Sequence, residues 1–125
     1  MKFDELIVCA EHALGSRQIA RNTWVGSVAA AILSEKGNVY IGVCIDTCCG
    51  MGFCAEHAAI ASMITAGESK IDKIVAINKD GIIPPCGRCR EFINQIHDEN
   101  AETEVMVADD TVVKLRDLLP FGYSD

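Results

Sequence analysis

Four residues of this 125-residue chain combine types and spacings able to do chemistry: Cys54, Glu56, Cys86 and Cys89. Cys86 and Cys89 form a C-x-x-C pair at the start of a predicted helix, where a single turn lets two thiolates hold one zinc ion. The rival readings of such a pair are a thioredoxin-like redox couple or two packing cysteines, and its place late in the chain weakens the redox option. Cys54, at a second predicted helix start in GFCAEHAAI, offers a third thiolate. Two helix N-termini would then aim their positive ends at the sulfurs and lower the thiol pKa values. Three protein ligands leave one tetrahedral position open, which marks a catalytic zinc whose bound water is acidified toward neutral pH. Glu56, two residues beyond Cys54, can stand beside the ion without ligating it and shuttle a proton. The competing arrangement is a structural zinc closed by His57 or Cys49, in which Glu56 has no purpose.

These residues must be held by a scaffold, and the hydrophobic pattern supplies one. Phe3, Leu6, Ile7, Ala10, Ala13 and Leu14 recur at helical spacing, with Gly15 as the expected C-cap. Val25 to Leu33 and Val39 to Ile45 are β-rich runs joined by SEKGN, a turn of hairpin length. Neither run alternates with polar residues, so the sheet is expected to be covered on both faces. CAEHAAIASMITAG reads as a helix, KIVAIN as a buried strand, and CGRCREFINQIH as a helix after the breaker Pro84-Pro85. EVMVA and TVVKL follow as strands, LRDLL as a last helical turn, and the run Glu99 to Glu104 as a solvated loop. The order αββαβαββ predicts an α/β fold: one domain over residues 1–125, three-layer α/β/α, with a mixed five-stranded sheet.

Composition narrows the partners. A net charge of -7 and the lack of a Lys/Arg cluster exclude the basic stripe that nucleic-acid binding requires. The longest apolar run, Val28 to Leu33, falls far short of the ~20 residues of a membrane span. The acidic N-terminal stretch MKFDELIVCAEHALG does not read as a secretory signal, so a cytoplasmic protein is expected. Seven cysteines at irregular spacing argue against a disulfide framework and toward metal or thiol chemistry. The expected partner is a small molecule.

C-A-E followed about thirty residues later by P-C-x-x-C resembles the zinc nucleoside deaminases. With cysteine as first ligand, it is similar to the free-nucleoside branch, cytidine deaminase and blasticidin-S deaminase. The resemblance runs from about Trp24 through PPCGRCRE to LRDLLPFGY. It implies the three-layer fold and a homo-oligomer, commonly a tetramer, otherwise a dimer, whose active sites borrow residues from neighbouring subunits. It implies Cys54, Cys86 and Cys89 as ligands of a Zn2+ cofactor and Glu56 as the acid/base. Arg90 matches an arginine that eases thiolate charge by hydrogen bonding, and His57 stands where cytidine deaminases have a second arginine.

The same resemblance aligns CID, Cys44 to Asp46, with an Asn-x-Glu that holds ribose. Asp46 can accept hydroxyl hydrogen bonds, whereas Cys44 is a poor substitute for an amide. Trp24 is the stand-in for the ring that stacks on the pyrimidine, Phe121 is a further ring able to touch a base, and the N–H groups of Ala55 and Cys86 can orient it. PCGRCR and LLPFGY are closer to blasticidin-S deaminases, and TCCGMG matches neither branch. The implied activity is hydrolytic deamination of a cytosine nucleoside to its uracil form with release of ammonia. Blasticidin S or another modified cytosine nucleoside is the alternative substrate. A zinc-stabilised nucleoside-binding protein without turnover is the alternative class.

Overall fold

A computed structural model describes residues 1–124. In chain order it contains α1 (Phe3–Ala13), β1 (Arg17–Ala20), β2 (Thr23–Ser34), β3 (Val39–Asp46), α2 (Ala55–Thr65), β4 (Ile71–Asn78), β5 (Gly81–Ile83), α3 (Gly87–Gln95), β6 (Glu104–Ala108), β7 (Thr111–Lys114) and α4 (Leu115–Leu118). Short 3-10 turns at Cys48–Gly50 and Asn100–Glu102 interrupt the connections.

The sheet has seven strands where five were expected. The two additions, β1 and β5, lengthen existing rows. Ala29 of β2 pairs with Val43 of β3 and with Ile77 of β4, so β3 and β4 flank β2 on opposite edges. Trp24 pairs with Asp46 of β3 and with Gln18 of β1, which puts β1 on the same edge as β4. By the same reasoning β5 shares an edge of β4 with β6. The rows run β3-β2-β4-β6-β7, and the β4–β6 pair is parallel while the rest are antiparallel, which makes the sheet mixed.

Burial explains why the long strands do not alternate. Ala30 and Ile32 of β2 and Ile74 and Ala76 of β4 face a cluster with Ala55, Ile60 and Met63 of α2 and Ile93 of α3. Ala29, Ala31 and Leu33, with Val75 and Ile77, face Leu6 and Ala10 of α1 on the other side. Strand residues of both parities are thus buried, and apolar runs are what a sheet between two helical layers requires.

Two local expectations differ. The helix α1 ends at Leu14 in an extended conformation, and Gly15 instead donates its N–H to the Gly26 carbonyl at 2.8 Å, joining the bulged start of β2. In the run Glu99 to Glu104 the charged side chains are exposed, yet Asn100 and Thr103 are fully buried. Asn100 accepts from Ile71 N–H at 2.9 Å and donates to the carbonyls of Ser69 and Ile93 at 3.0 Å each. Thr103 Oγ1 donates to the Ile71 carbonyl at 2.8 Å. A polar pair surrounded by backbone groups left over at element ends can be buried at little cost. No helix among the described residues is long and apolar enough to cross a membrane.

Candidate active site

Both helices that carry the cysteines begin on one. Cys54 is the N-cap of α2 and Cys86 the N-cap of α3, each with extended backbone, and Cys89 lies on the first turn of α3. The chain ahead of Cys54 is pinned to the end of β3: Phe53 and Ile45 exchange backbone hydrogen bonds at 3.0 Å in both directions. A side chain at Gly52 would run into the Ile45 carbonyl, so the close return of the chain depends on glycine there. Ahead of Cys86, the Pro85 carbonyl accepts from Arg90 Nε at 2.8 Å.

Three sulfurs converge as a result. Cys54 and Cys86 Sγ lie 3.5 Å apart, Cys86 and Cys89 Sγ 3.4 Å apart, and all three fall within 4.8 Å of one another. Thiolates on a tetrahedral zinc with bonds of about 2.3 Å stand roughly 3.8 Å apart, close to this spacing. The soft, all-sulfur donor set suits the same ion. His57 and Cys49 do not join the group among the described residues, which leaves it at three. The His57 ring instead stacks on Phe92 of α3, centroids 4.4 Å apart and planes 6° apart, with Nδ1 3.3 Å from Cys89 Sγ.

Burial dominates the electrostatics of the thiols, and only Cys86 ends lowered as expected of a cysteine at a helix N-terminus. Burial, followed by the neighbouring Cys86 thiol, holds the Cys54 thiol above its ordinary pKa. Burial, followed by the charge of Glu56, pushes Cys89 up further. Cys86 ends below its ordinary value: burial raises it, and the Cys89 N–H and thiol outweigh that. Those N–H groups face the sulfur at the helix start without closing a full capping bond. Burial also lowers the pKa of His57, helped by the charge of Arg88, so its imidazole is neutral near pH 7.

Glu56 is 4% exposed and borders a cavity of about 430 Å³ together with Cys54 and Cys86. Burial lifts its carboxyl above the usual glutamate range, partly opposed by its own backbone N–H. Such a group exchanges protons near neutral pH more readily than a solvated glutamate. Cys44, Asp46 and Ala55 border the same cavity. Cys44 is buried, its sulfur accepting from Val28 N–H at 3.3 Å and lying 3.2 Å from Ser27 Oγ.

The remaining expected residues lie elsewhere. Trp24 sits opposite Asp46 in the β2–β3 ladder, but the residue is 49% exposed and outside the cavity lining. Phe121 is fully exposed, also outside the lining. Arg90 bonds carbonyls rather than sulfur: besides Pro85 it reaches the Leu118 carbonyl at 3.2 Å, tying the start of α3 to the end of α4. Expected to ease thiolate charge, it is held by these two acceptors instead.

Two residues that sequence reasoning passed over shape the site. Gly42 of β3 lies against α2, where an added Cβ would fall 2.3 Å from Ala59 N and 2.7 Å from the Ala55 carbonyl. Arg88, the second variable residue of C-x-x-C, borders the cavity. The alanine-rich face of α2 was the signal for the first; for Arg88 there was only its place between two ligands.

A family model described as "Cytidine and deoxycytidylate deaminase zinc-binding region" matches residues 4–104. The chain belongs to this family. A protein named "Probable cytidine deaminase" from Dictyostelium discoideum is 32% identical over 96 residues, covering 74% of this chain and 65% of its own length. A blasticidin-S deaminase from Bacillus cereus is 34% identical over 77 residues, covering 54% of this chain and 55% of its own. The chain thus spans a little over half to just under two thirds of the length of these curated relatives. A crystal structure of cytidine deaminase from Burkholderia pseudomallei superposes with a TM-score of 0.79 at 26% identity, covering 98% of this chain and all of that one. The α/β fold with its mixed sheet between helices is that of cytidine deaminase structures, and Cys54, Cys86 and Cys89 lie close enough together to hold the zinc that the family description names.

Proposed function

We propose that this protein is a zinc-dependent hydrolytic deaminase of cytosine nucleosides, with cytidine or deoxycytidine as substrate, water as co-substrate, and the uracil nucleoside and ammonia as products. The observation that carries the reading is Glu56, a carboxyl buried at the cavity wall beside three converging thiols and shifted toward neutral pH by that burial. Zinc held by Cys54, Cys86 and Cys89 supplies Lewis-acid chemistry that makes water a competent nucleophile near neutral pH. The chain's own residues supply the proton path. Glu56 accepts a proton from the attacking water on its carboxylate, delivers it to ring N3 as the new C4–O bond forms, and then carries the second water proton to the departing amine. The backbone N–H groups of Ala55 and Cys86 orient the base, and Asp46 accepts hydroxyl hydrogen bonds from the sugar.

Cys44 favours a second reading of the substrate. Its sulfur is engaged by Val28 N–H and Ser27, and it offers none of the paired donor and acceptor of an amide, so a modified cytosine nucleoside such as blasticidin S competes with cytidine for this cavity. The exposed residues Trp24 and Phe121 suit a homo-oligomer in which each copy completes a neighbour's site.

The decisive experiment mixes zinc-loaded protein with cytidine, deoxycytidine and blasticidin S and follows the ultraviolet change of cytosine to uracil. Turnover by the wild type, with Glu56→Gln lowering kcat by about 10²–10⁴-fold at unchanged zinc content, is the expected result. Zinc-loaded wild type that binds these compounds but turns none over would establish a binding protein instead.

A further inference from the structure

The adjacent pair Cys48-Cys49 in TCCGMG has no part in the three-sulfur cluster. Of the seven cysteines, Cys44 and Cys89 are buried, Cys9 and Cys54 half-buried, and Cys48, Cys49 and Cys86 exposed. Zinc claims Cys54, Cys86 and Cys89, so the exposed thiols left in a loaded protein are Cys48 and Cys49. The turn prepares them for each other. An extended dipeptide sends successive side chains to opposite faces. Here the chain folds into a 3-10 turn in which Cys49 takes a left-handed φ of 64°, uncommon for a residue with a Cβ, and the two sulfurs stand 3.1 Å apart. A disulfide bond is about 2.05 Å long, so about 1 Å of approach remains. A bond between chain neighbours must also span Cα atoms about 3.8 Å apart, below the usual range of about 4.4–6.8 Å, and is therefore strained and readily reduced. Strained, exposed disulfides are the labile kind, which close against an oxidised thiol pool and reopen when that pool is reduced.

The turn is coupled to the cavity. Thr47 and Gly50, which flank the pair on either side, line the cavity together with Asp46 and Gly52. The two Ile45–Phe53 backbone bonds clamp the base of the loop at 3.0 Å, and among the described residues no backbone bond ties residues 47–51 to another element. Thr47 Oγ1 is buried without a hydrogen-bond partner, so no side-chain bond holds that part of the wall in place. A contraction of the turn is thus passed to the wall, whereas the Ile45–Phe53 clamp shields Cys54 and Glu56 beyond it.

We propose that Cys48 and Cys49 form a reversible redox site: a low-molecular-weight disulfide such as oxidised glutathione closes it, and closure weakens nucleoside binding in the cavity. The redox step stands by itself, and its effect on binding rests on the deaminase reading above. One thiolate of the pair attacks a sulfur of the disulfide RSSR, which forms a mixed disulfide and releases RS⁻. The other thiolate then attacks the protein sulfur of that mixed disulfide and expels the second RS⁻. The dithiol loses two electrons and two protons. RSSR gains the electrons, and its two fragments take up the protons as 2 RSH. Excess RSH reverses both steps.

The test holds zinc-loaded protein in glutathione buffers from reduced to oxidised, blocks free thiols with one alkylating reagent, reduces, and labels the freed sulfurs with a second. Fragmentation mass spectrometry should place the second label on Cys48 and Cys49 alone, with zinc content unchanged and full reversal by reduced glutathione. Cytidine and blasticidin S are then titrated by calorimetry into the reduced and closed forms of zinc-loaded Glu56→Gln protein, and kcat and KM are measured on both forms of the wild type. Closure should raise Kd and KM about fivefold or more and leave kcat within about twofold, the pattern of a lost binding contact. The double variant Cys48→Ser/Cys49→Ser should bind and turn over equally at every glutathione ratio. A mixed glutathione disulfide that persists on either cysteine, a second label on the zinc ligands, or no reaction at all would overturn the redox site. Mapped closure with equal affinities would overturn its hold on the cavity. If neither compound binds either form while the disulfide is mapped, the deaminase reading falls, and with it the effect on binding, while the redox site stands.

Discussion

The helices α2 and α3 deliver the same kind of group to the same place, a cysteine at the N-cap, yet they are held there by different forces. The α2 helix is seated by close approach. Gly42, Ala55 and Ala59 bring its backbone almost onto β3, and both alanines are fully buried. The α3 helix is seated by apolar contact of Ile93 and by directional polar ties: Arg90 to two carbonyls at its start and Asn100 to the Ile93 carbonyl near its end. Packing contact is steep in distance, so it fixes tightly the helix that, on the proposed reading, must place Glu56 as the proton carrier. The looser requirement on α3, which brings two sulfurs to a soft ion, can be met by hydrogen bonds. If this division is right, disturbing the α2 contact should damage chemistry beyond its cost in stability, and disturbing the α3 ties should damage stability alone.

Gly42→Ala gives the largest expected effect. Its new Cβ meets backbone atoms of α2, which cannot rotate away as a side chain could. Overpacking of this sort costs about 3 kcal/mol. Displacement of Glu56 by an ångström would reduce kcat roughly a hundredfold. Urea unfolding and deaminase assays on the soluble variant check both numbers. A variant destabilised but fully active would mean that α2 has slack and that the comparison fails.

Asn100→Ala should fall on the other side. The side chain is fully buried and makes three hydrogen bonds, so its loss leaves Ile71 N–H and two carbonyls without their partner. The expected cost is about 2 kcal/mol, with kcat and zinc content near the wild type at temperatures where the variant is folded. A drop in kcat larger than tenfold would show that α3 is positioned as tightly as α2.

The same contrast governs what could be read from the sequence. Apolar periodicity made the main helices and the five sheet rows legible, because burial on two faces leaves continuous runs and burial on one leaves a stripe. β1 was missed because RQIA is wholly exposed and becomes a strand only by pairing with β2. β5 was missed because three residues cannot carry a period. The cysteines and Glu56 stood out because their spacing encodes chemistry. Arg88 and Arg90 look alike in CGRCRE, and no local pattern tells which is tied to carbonyls and which faces the cavity. Gly42 is one of ten glycines, distinguished only by the helix that comes to rest on it.

The smallest expected effect lies at the far end of α2. Glu68, just beyond the helix, accepts from Asn38 Nδ2 at 2.9 Å and from Tyr40 Oη at 2.7 Å, which fastens this end to the start of β3. These bonds, Asn38 first and Tyr40 next, hold its carboxyl at about 2 instead of the ordinary 4.5. A carboxyl whose folded value is depressed contributes its full stabilisation above the unfolded value and loses it as pH falls through the folded one. The stability difference between wild type and Glu68→Gln, measured by urea unfolding of zinc-free proteins, should therefore be constant above pH 4.5 and shrink between 4.5 and about 2. Solvent exposure keeps the difference small. Its effect on kcat should be smaller still, because the contact at Gly42, nearer the N-terminus of α2, already fixes Glu56. A loss of kcat in Glu68→Gln comparable to that in Gly42→Ala would mean that α2 pivots about Gly42 as a rigid rod, and that both ends are needed to aim its carboxyl.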